Sequence, residues 1–270
     1  MILKNMKNMK NMKNMKNMKN MKTLFLILIT MILSVTALFA QTFKKDFSIL
    51  KLDNYIIKTH CSQVIRDPYQ VKCYNYNVKK PSINLFKINK KFTNEKIEKR
   101  LSFKEDKRIP EEYQNKLTCY KYSGFDRGHM APDRFFDFNL TILKTTYLTS
   151  NIIPEYPIVN RVIISKIERL INDKIQKYDT MYVIVIAFFD KDQYLKNDNC
   201  GKIPDKILYI IKAPRYSWYY LIPNLPKEKL IKKYQDYKNI ENYRIHSVKI
   251  LKILHKHKIY IIKQRFENVR

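Results

Sequence analysis

Only three glycines occur in 270 residues, so almost every turn of this chain must be made by residues that carry a Cβ. A sequence this poor in glycine keeps one where the backbone needs positive φ or where another group must approach closely. Two of the three, Gly124 and Gly128, fall inside Ser123-Gly124-Phe125-Asp126-Arg127-Gly128-His129-Met130-Ala131-Pro132. That stretch sets a carboxylate, a permanent cation and an imidazole on Asp126, Arg127 and His129, within reach of one phosphodiester. It is the first place to look for chemistry.

The N-terminus stands apart from any fold. Residues 4–21 are six copies of Lys-Asn-Met, a low-complexity run that cannot bury a face. Met21-Lys22 then leads into an apolar stretch, Leu24 to Ala40, broken only by Thr30, Ser34 and Thr36. A basic start, an apolar middle and a small residue at the exit describe a secretory signal. Cleavage near Ala40 is expected, with export to the periplasm or the medium and no stable membrane association afterwards; an uncleaved anchor is the rival reading. The organisation expected is therefore residues 1–40 as repeat and signal, and residues 41–270 as a single domain with its core at about 55–225 and a basic C-terminal extension.

The chain carries a formal charge of +29, and the seven lysines of residues 1–40 account for seven of it, leaving +22 on the rest. Such an excess draws in polyanions and suits a nucleic-acid ligand held by its backbone. Abundant Lys, Asn, Ile and Tyr beside scarce Gly also fit AT-rich coding, so charge alone does not settle the partner. Cys61, Cys73, Cys119 and Cys200 all lie in the exported part, where disulfides form. Three pairings are open, and without a Cys-x-x-Cys spacing a cysteine-ligated zinc is not expected.

Hydropathy along the chain mixes helix and strand without a regular β-α-β rhythm, which predicts an α+β fold. Strands and turns are expected over 54–91, and a charged surface loop with helical turns over 93–114. Leu117 to Tyr122 and Thr145 to Ser150 look like β-type stretches. Between Pro157 and Asp173, Ile158, Val162, Ile163, Ile167, Leu170 and Ile171 recur at helical spacing, predicting an amphipathic helix with Asn160 near its start and Glu168 on its body. At about 100° per residue, positions eight apart sit within roughly a quarter turn of each other. Met181 to Phe189 has the composition of a strand buried on both faces. Lys206 to Ala213 and Trp218 to Ile222 follow as strands, then a lysine-rich helical segment after Pro226 and a short β run at Lys258 to Lys263.

The motif around Asp126 to His129 resembles that of the DNA/RNA non-specific endonucleases, the ββα-metal nucleases. The match continues through Tyr147-Leu148-Thr149-Ser150-Asn151-Ile152-Ile153-Pro154, then Asn160 and Ile167-Glu168, with nine residues from Asn151 to Asn160 and eight from Asn160 to Glu168. A four-letter motif with three further positions in register is specific. The resemblance implies a ββα-metal (His-Me finger) nuclease fold, with a central, mainly antiparallel sheet flanked by helices. It also implies hydrolysis of DNA and RNA to 5′-phosphorylated products with magnesium, manganese being the alternative ion.

The resemblance, read with the chemistry of the reaction, implies the roles. Phosphodiester hydrolysis needs an activated water, counter-charge for the pentavalent transition state and relief of charge on the leaving oxygen. His129 is the candidate general base, because imidazole accepts a proton near neutral pH. Asn160 is the candidate metal ligand and Glu168 the carboxylate that would hold metal-bound water. Arg127, and Arg100 from an upstream block, would neutralise the phosphoryl oxygens. Asp126 is expected to fix the loop or orient Arg127, and Asn151 to support the site through hydrogen bonds. The other four histidines, His60, His246, His255 and His257, are read as structural or solvated. Departures from the family pattern, such as Glu155 where relatives often carry Gln, touch no catalytic group and bear on substrate preference and rate. A catalytically silent polyanion-binding protein on the same fold, or a phosphodiesterase of small nucleotides, are the competing functions.

Overall fold

The computed structural model describes residues 47–93, 96–98 and 100–263. The Lys-Asn-Met run, the signal and its cleavage site lie outside the described residues. From Ser48 onward the chain builds five strands: β1 (Ser48–Leu52), β2 (Tyr55–Thr59), β3 (Gln63–Asp67), β4 (Gln70–Asn75) and β5 (Lys80–Asn89). A long excursion follows before the sheet resumes at β8 (Thr180–Phe188), β9 (Lys206–Lys212) and β10 (Ser217–Pro223). Within it lie β6 (Asp126–His129), α1 (Leu140–Thr146), β7 (Ile152–Glu155) and α2 (Ser165–Ile175). The chain closes on α3 (Lys227–Lys233), α4 (Ser247–Lys256) and β11 (Tyr260–Lys263).

The central sheet has six strands in the order β10-β9-β8-β5-β4-β3, a second sheet has the order β1-β2-β11, and β6 pairs with β7 alone. Every pair between these strands is antiparallel, in keeping with the α+β expectation. Strand β8 explains how the layers are held. Its alternate residues Met181, Val183, Val185 and Ala187 enter one core with Ile153, Val159, Ile163, Ile167 and Ile171. Its other residues Ile184, Ile186 and Phe188 enter a second core with Leu50, Ile57, Ile250 and Leu254. A strand buried on both faces reads as a continuous apolar run because each face has its own layer to meet.

The six-stranded sheet is thus a wall with the β1-β2-β11 sheet and α4 on one side and the β6-β7 ribbon and α2 on the other. The excursion between β5 and β8 supplies the whole of the latter, and the candidate motif with it. The charged segment before it is less solvated than expected. Asp106 is buried, and Arg108 bridges it to Asp67 of β3, at 2.7 Å to each. Lys72, fully buried, pairs with the same Asp67 at 2.6 Å, and the Ser150 hydroxyl donates to Asp106 at 2.5 Å. A paired and hydrogen-bonded network of this kind is how charge is tolerated in an interior.

Two expected strands are absent. Leu117–Tyr120 forms a 3-10 turn instead, with Cys119 tied to Cys200 at a Cα separation of 5.5 Å. Thr145 to Ser150 is divided between the end of α1 and a 3-10 turn at Thr149–Asn151; the Asn139 side chain caps α1, accepting from the N–H groups of Thr141 and Ile142. In both places β-branched and aromatic composition yields to tertiary links. The second disulfide joins Cys61 to Cys73, at 5.3 Å between Cα atoms, which selects one of the three pairings. The expected helix runs over residues 157–175, but Val159–Ile164 is π-helical, the Ser165 N–H reaching back to the Asn160 carbonyl.

Candidate active site

Strand β6 carries the motif, and its register with β7 sets Asp126 opposite Glu155, Arg127 opposite Pro154, Gly128 opposite Ile153 and His129 opposite Ile152. The two motif glycines answer different needs. Gly124 has φ +79° in the turn before the strand, a conformation glycine adopts without a Cβ penalty. Gly128 makes room: a Cβ there would lie 2.1 Å from the Glu155 carboxyl carbon. Glu155 is buried, and neither of its carboxyl oxygens has a hydrogen-bond partner among the described residues. Burial, with Glu168 and Asp126 adding to it, pushes its carboxyl well above the usual range.

His129 stands beside Phe103, 5.1 Å between ring centroids, and meets Tyr147 edge-on at 5.2 Å. Its Nε2 is buried without a hydrogen-bond partner among the described residues. Burial lowers its pKa to about 4, Asp133 opposing and Arg100 and Arg127 reinforcing the shift. The ring is therefore neutral at pH 7, and burial makes it a weaker base than the free imidazole expected from sequence. Asp133 is held in turn by the Tyr147 hydroxyl, which donates to it at 2.6 Å.

Asn160 reaches the same space from the π-helical stretch. Its Nδ2 donates to Asp126 at 3.1 Å; a carboxylate can only accept, so this contact fixes the orientation of the amide, and its oxygen has no hydrogen bond among the described residues. Asp126 also accepts two hydrogen bonds from Arg161, both 2.7 Å. Asp126 is expected to fix the loop or to orient Arg127; among the described residues its carboxylate accepts from Asn160 and Arg161, and no hydrogen bond from Arg127 is found. A π turn takes more residues per revolution than an α turn, so Asn160 lags less of an angle from Glu168 than the quarter turn predicted for a regular helix. Glu168, in the first turn of α2, has no ion pair or hydrogen bond among the described residues, and burial raises its carboxyl to about 7.

One cleft of about 950 Å³ is lined by Arg100, Arg127, His129, Asn160 and Glu168, with Phe103, Asp126, Asp133, Tyr147 and Arg161 beside them. Among the described residues Arg100 and Arg127 form no ion pairs; Arg127 lies over the Phe103 ring, 4.6 Å from its centroid. The cleft therefore offers two free guanidiniums to an anion. Asn151 lies beneath rather than within it. Its carboxamide accepts from the Ala131 N–H and from Asn84, and donates to the Ala131 and Thr146 carbonyls, at 2.7–2.9 Å. This locks the chain just past His129 to β5 and to the end of α1.

The donors present fit a strongly hydrated divalent cation. No group of three or more His, Cys, Asp or Glu is gathered as a metal cage among the described residues. The free Asn160 oxygen and the unpartnered Glu168 carboxyl instead suit an ion that keeps most of its waters. Asp133, Tyr147, Phe103 and Arg161 also shape the site and were not singled out from sequence. Arg161 follows Asn160 directly, and only the π turn shows which of its neighbours it meets.

The family described as DNA/RNA non-specific endonuclease matches residues 51–253. A mitochondrial nuclease of Saccharomyces cerevisiae is 33% identical over 91 residues, 32% of this chain and 26% of that protein. Nuclease C1 of Cunninghamella echinulata is 33% identical over 88 residues, 32% of this chain and 35% of that protein. Human mitochondrial endonuclease G is 26% identical over 106 residues, 37% of this chain and 36% of that protein. The matched segment thus spans about a quarter to a third of these relatives. The crystal structure of an EndoG/EndoGI complex contains a chain superposing with TM-score 0.62 at 18% identity, over 73% of this chain and 84% of that one. It shares the fold.

Proposed function

Because this chain belongs to the DNA/RNA non-specific endonuclease family, we propose that it is an exported, magnesium-dependent endonuclease that hydrolyses phosphodiester bonds of both DNA and RNA. The observation that carries this reading is the convergence of His129, Arg127, Arg100, Asn160 and Glu168 on one cleft. They come from three separate parts of the sequence, and they are the groups the reaction needs. Four cysteines joined in two disulfides suit an oxidising compartment, which supports export.

In this mechanism neutral His129 takes a proton from water as its oxygen attacks phosphorus in line. The bond to the 3′ oxygen breaks, leaving a 5′-phosphate on the downstream fragment. Arg127 and Arg100 hold the nonbridging oxygens as charge builds on them. Asn160, oriented by Asp126, and Glu168 would hold the hydrated magnesium ion, which when bound relieves charge on the departing oxygen. The packing of Phe103 and Tyr147 against the imidazole limits its rotation, so the proton acceptor is already aimed. Nothing in this set reads a base, in keeping with a site indifferent to sequence and sugar.

The test is a paired digestion of supercoiled plasmid and of RNA, with magnesium and with chelator, by wild type and His129→Ala. Cutting of both polymers by wild type with magnesium, lost in the variant and in chelator, is expected. A wild-type protein that retards duplex in a gel and leaves it intact is a polyanion-binding protein instead. Faster hydrolysis of a small nucleotide ester than of plasmid identifies a nucleotide phosphodiesterase.

A further inference from the structure

A second surface has the chemistry of a nucleic-acid contact. At the tip of the β9-β10 hairpin, where the Ala213 N–H bonds the Tyr216 carbonyl, Tyr216 is 58% exposed. It stacks on Trp218 with centroids 6.0 Å apart and ring planes 27° apart. Tyr178, in the loop after α2, approaches both rings at 6.4 Å. The Lys174 ammonium lies 4.0 Å from the Trp218 centroid. None of these residues lines the cleft.

The charge around the rings is mostly positive. Lys177 and Arg215 are exposed beside the patch. Lys177 and Arg244 lie near enough to Lys174 to push its pKa down in the same direction as burial, against Glu241 and Asp173. Arg244 is itself paired with Glu241 at 3.1 Å, which leaves Asp173 and the exposed Asp179, next to Tyr178, as the opposing carboxylates. Large rings kept at the surface beside cations match the way proteins hold single-stranded nucleic acid, with bases on π-faces and phosphates on Lys and Arg. A purely apolar partner would not call for this charge.

We propose that Tyr216, Trp218 and Tyr178, with Lys174, Lys177 and Arg215, form an accessory site that stacks unpaired bases of the substrate strand outside the catalytic cleft. The proposal rests on the nuclease reading for its ligand. Geometry supports a shared strand: Lys174 is six residues beyond Glu168 on α2, about 9 Å along the axis. It lies about a third of a turn round the helix from Glu168, so the strand would pass from the cleft around α2. The site would favour frayed, nicked or single-stranded substrate over intact duplex, whose bases are already stacked.

Trp218 is the single tryptophan of the chain, so its emission reports on this patch and on no other. The full-length protein, in chelator so that nothing is cut, is titrated with a twelve-residue oligothymidylate and followed by Trp218 fluorescence and by anisotropy of a labelled copy. Saturable quenching that tracks the anisotropy is expected, and Tyr216→Ala should weaken binding about fivefold or more, the lower end of what one base stack contributes. Unaltered Trp218 emission while the oligonucleotide binds, equal affinity for wild type and Tyr216→Ala, or no binding at all would overturn the accessory site. Because no cleavage is measured, each of those results leaves the digestion of plasmid and RNA to decide the nuclease reading separately. Tyr216 is 58% exposed and does not line the cleft, so the variant should fold as wild type does.

Discussion

His129 and Glu168 face the same cleft, and burial works on them in opposite senses because one is charged when protonated and the other when deprotonated. The Glu168 carboxyl, at about 7 in the fold against an ordinary 4.5, stabilises the protein fully below 4.5, and that contribution is lost as pH rises through 7. The imidazole, at about 4 against 6.5, contributes stability above 6.5 that is lost as pH falls through 4. In chelator at pH 8 the Glu168 carboxylate is therefore a liability, and Glu168→Gln should stabilise the protein by on the order of 2 kcal/mol. Scanning calorimetry should show a higher melting temperature for the variant at pH 8, with the gap shrinking toward pH 4.5. A lower melting temperature at pH 8 would mean that the carboxylate is compensated in the fold. Gly128 gives a second residue-level expectation. Gly128→Ala drives a methyl into the buried Glu155 carboxyl and should cost about 1–3 kcal/mol in urea unfolding. Glu155→Ala in the same protein should recover part of that loss.

Among the elements, the helix over 157–175 shows what sequence could and could not reveal. The apolar period of Ile158, Val162, Ile163 and Ile167 announced a helix, and the spacing of Asn160 and Glu168 put both on one side. The π turn at Val159–Ile164 was not legible, because a one-residue change in hydrogen-bond register leaves the apolar pattern intact. The same turn sets Arg161 against Asp126, a contact the spacing did not announce. Leu117 to Tyr122 was misread for a different reason: its Thr, Cys and Tyr favour strands, but Cys119 is anchored to a segment 81 residues away. That link fixes a turn bordering the cleft, through Leu117 and Tyr120. Replacing Cys119 and Cys200 together by Ser should lower stability by about 4 kcal/mol in the chain-entropy account for a loop of this length, read as a shift in the urea midpoint. An unchanged midpoint would show that the turn is held by its other contacts.

At the scale of the described domain, the division into a wall and two covering layers follows from the apolar run of β8, and the family motif marks the layer that holds the candidate site. The accessory aromatic patch was not singled out from sequence, since Lys174, Tyr178, Tyr216 and Trp218 come together only through the docking of α2 against the β9-β10 hairpin. Charge acts at this scale as well. Arg100, Lys121 and Arg127 line the cleft, and neutralising three phosphates there implies a log–log salt slope for duplex binding of about −2.7 or steeper. Filter binding in chelator from low to physiological salt checks this, and a flat response would exclude backbone capture by these cations. The account depends most on His129 and Asn160 serving one reaction centre, so the most direct measurement is a double-mutant cycle on magnesium-supported plasmid cleavage with His129→Ala, Asn160→Ala and the two combined. Residues that act as a unit are strongly non-additive. The cycle should show each single variant losing nearly all activity and the double variant little worse than either. An Asn160→Ala protein that cuts at the wild-type rate, or losses that simply multiply, would contradict the shared centre.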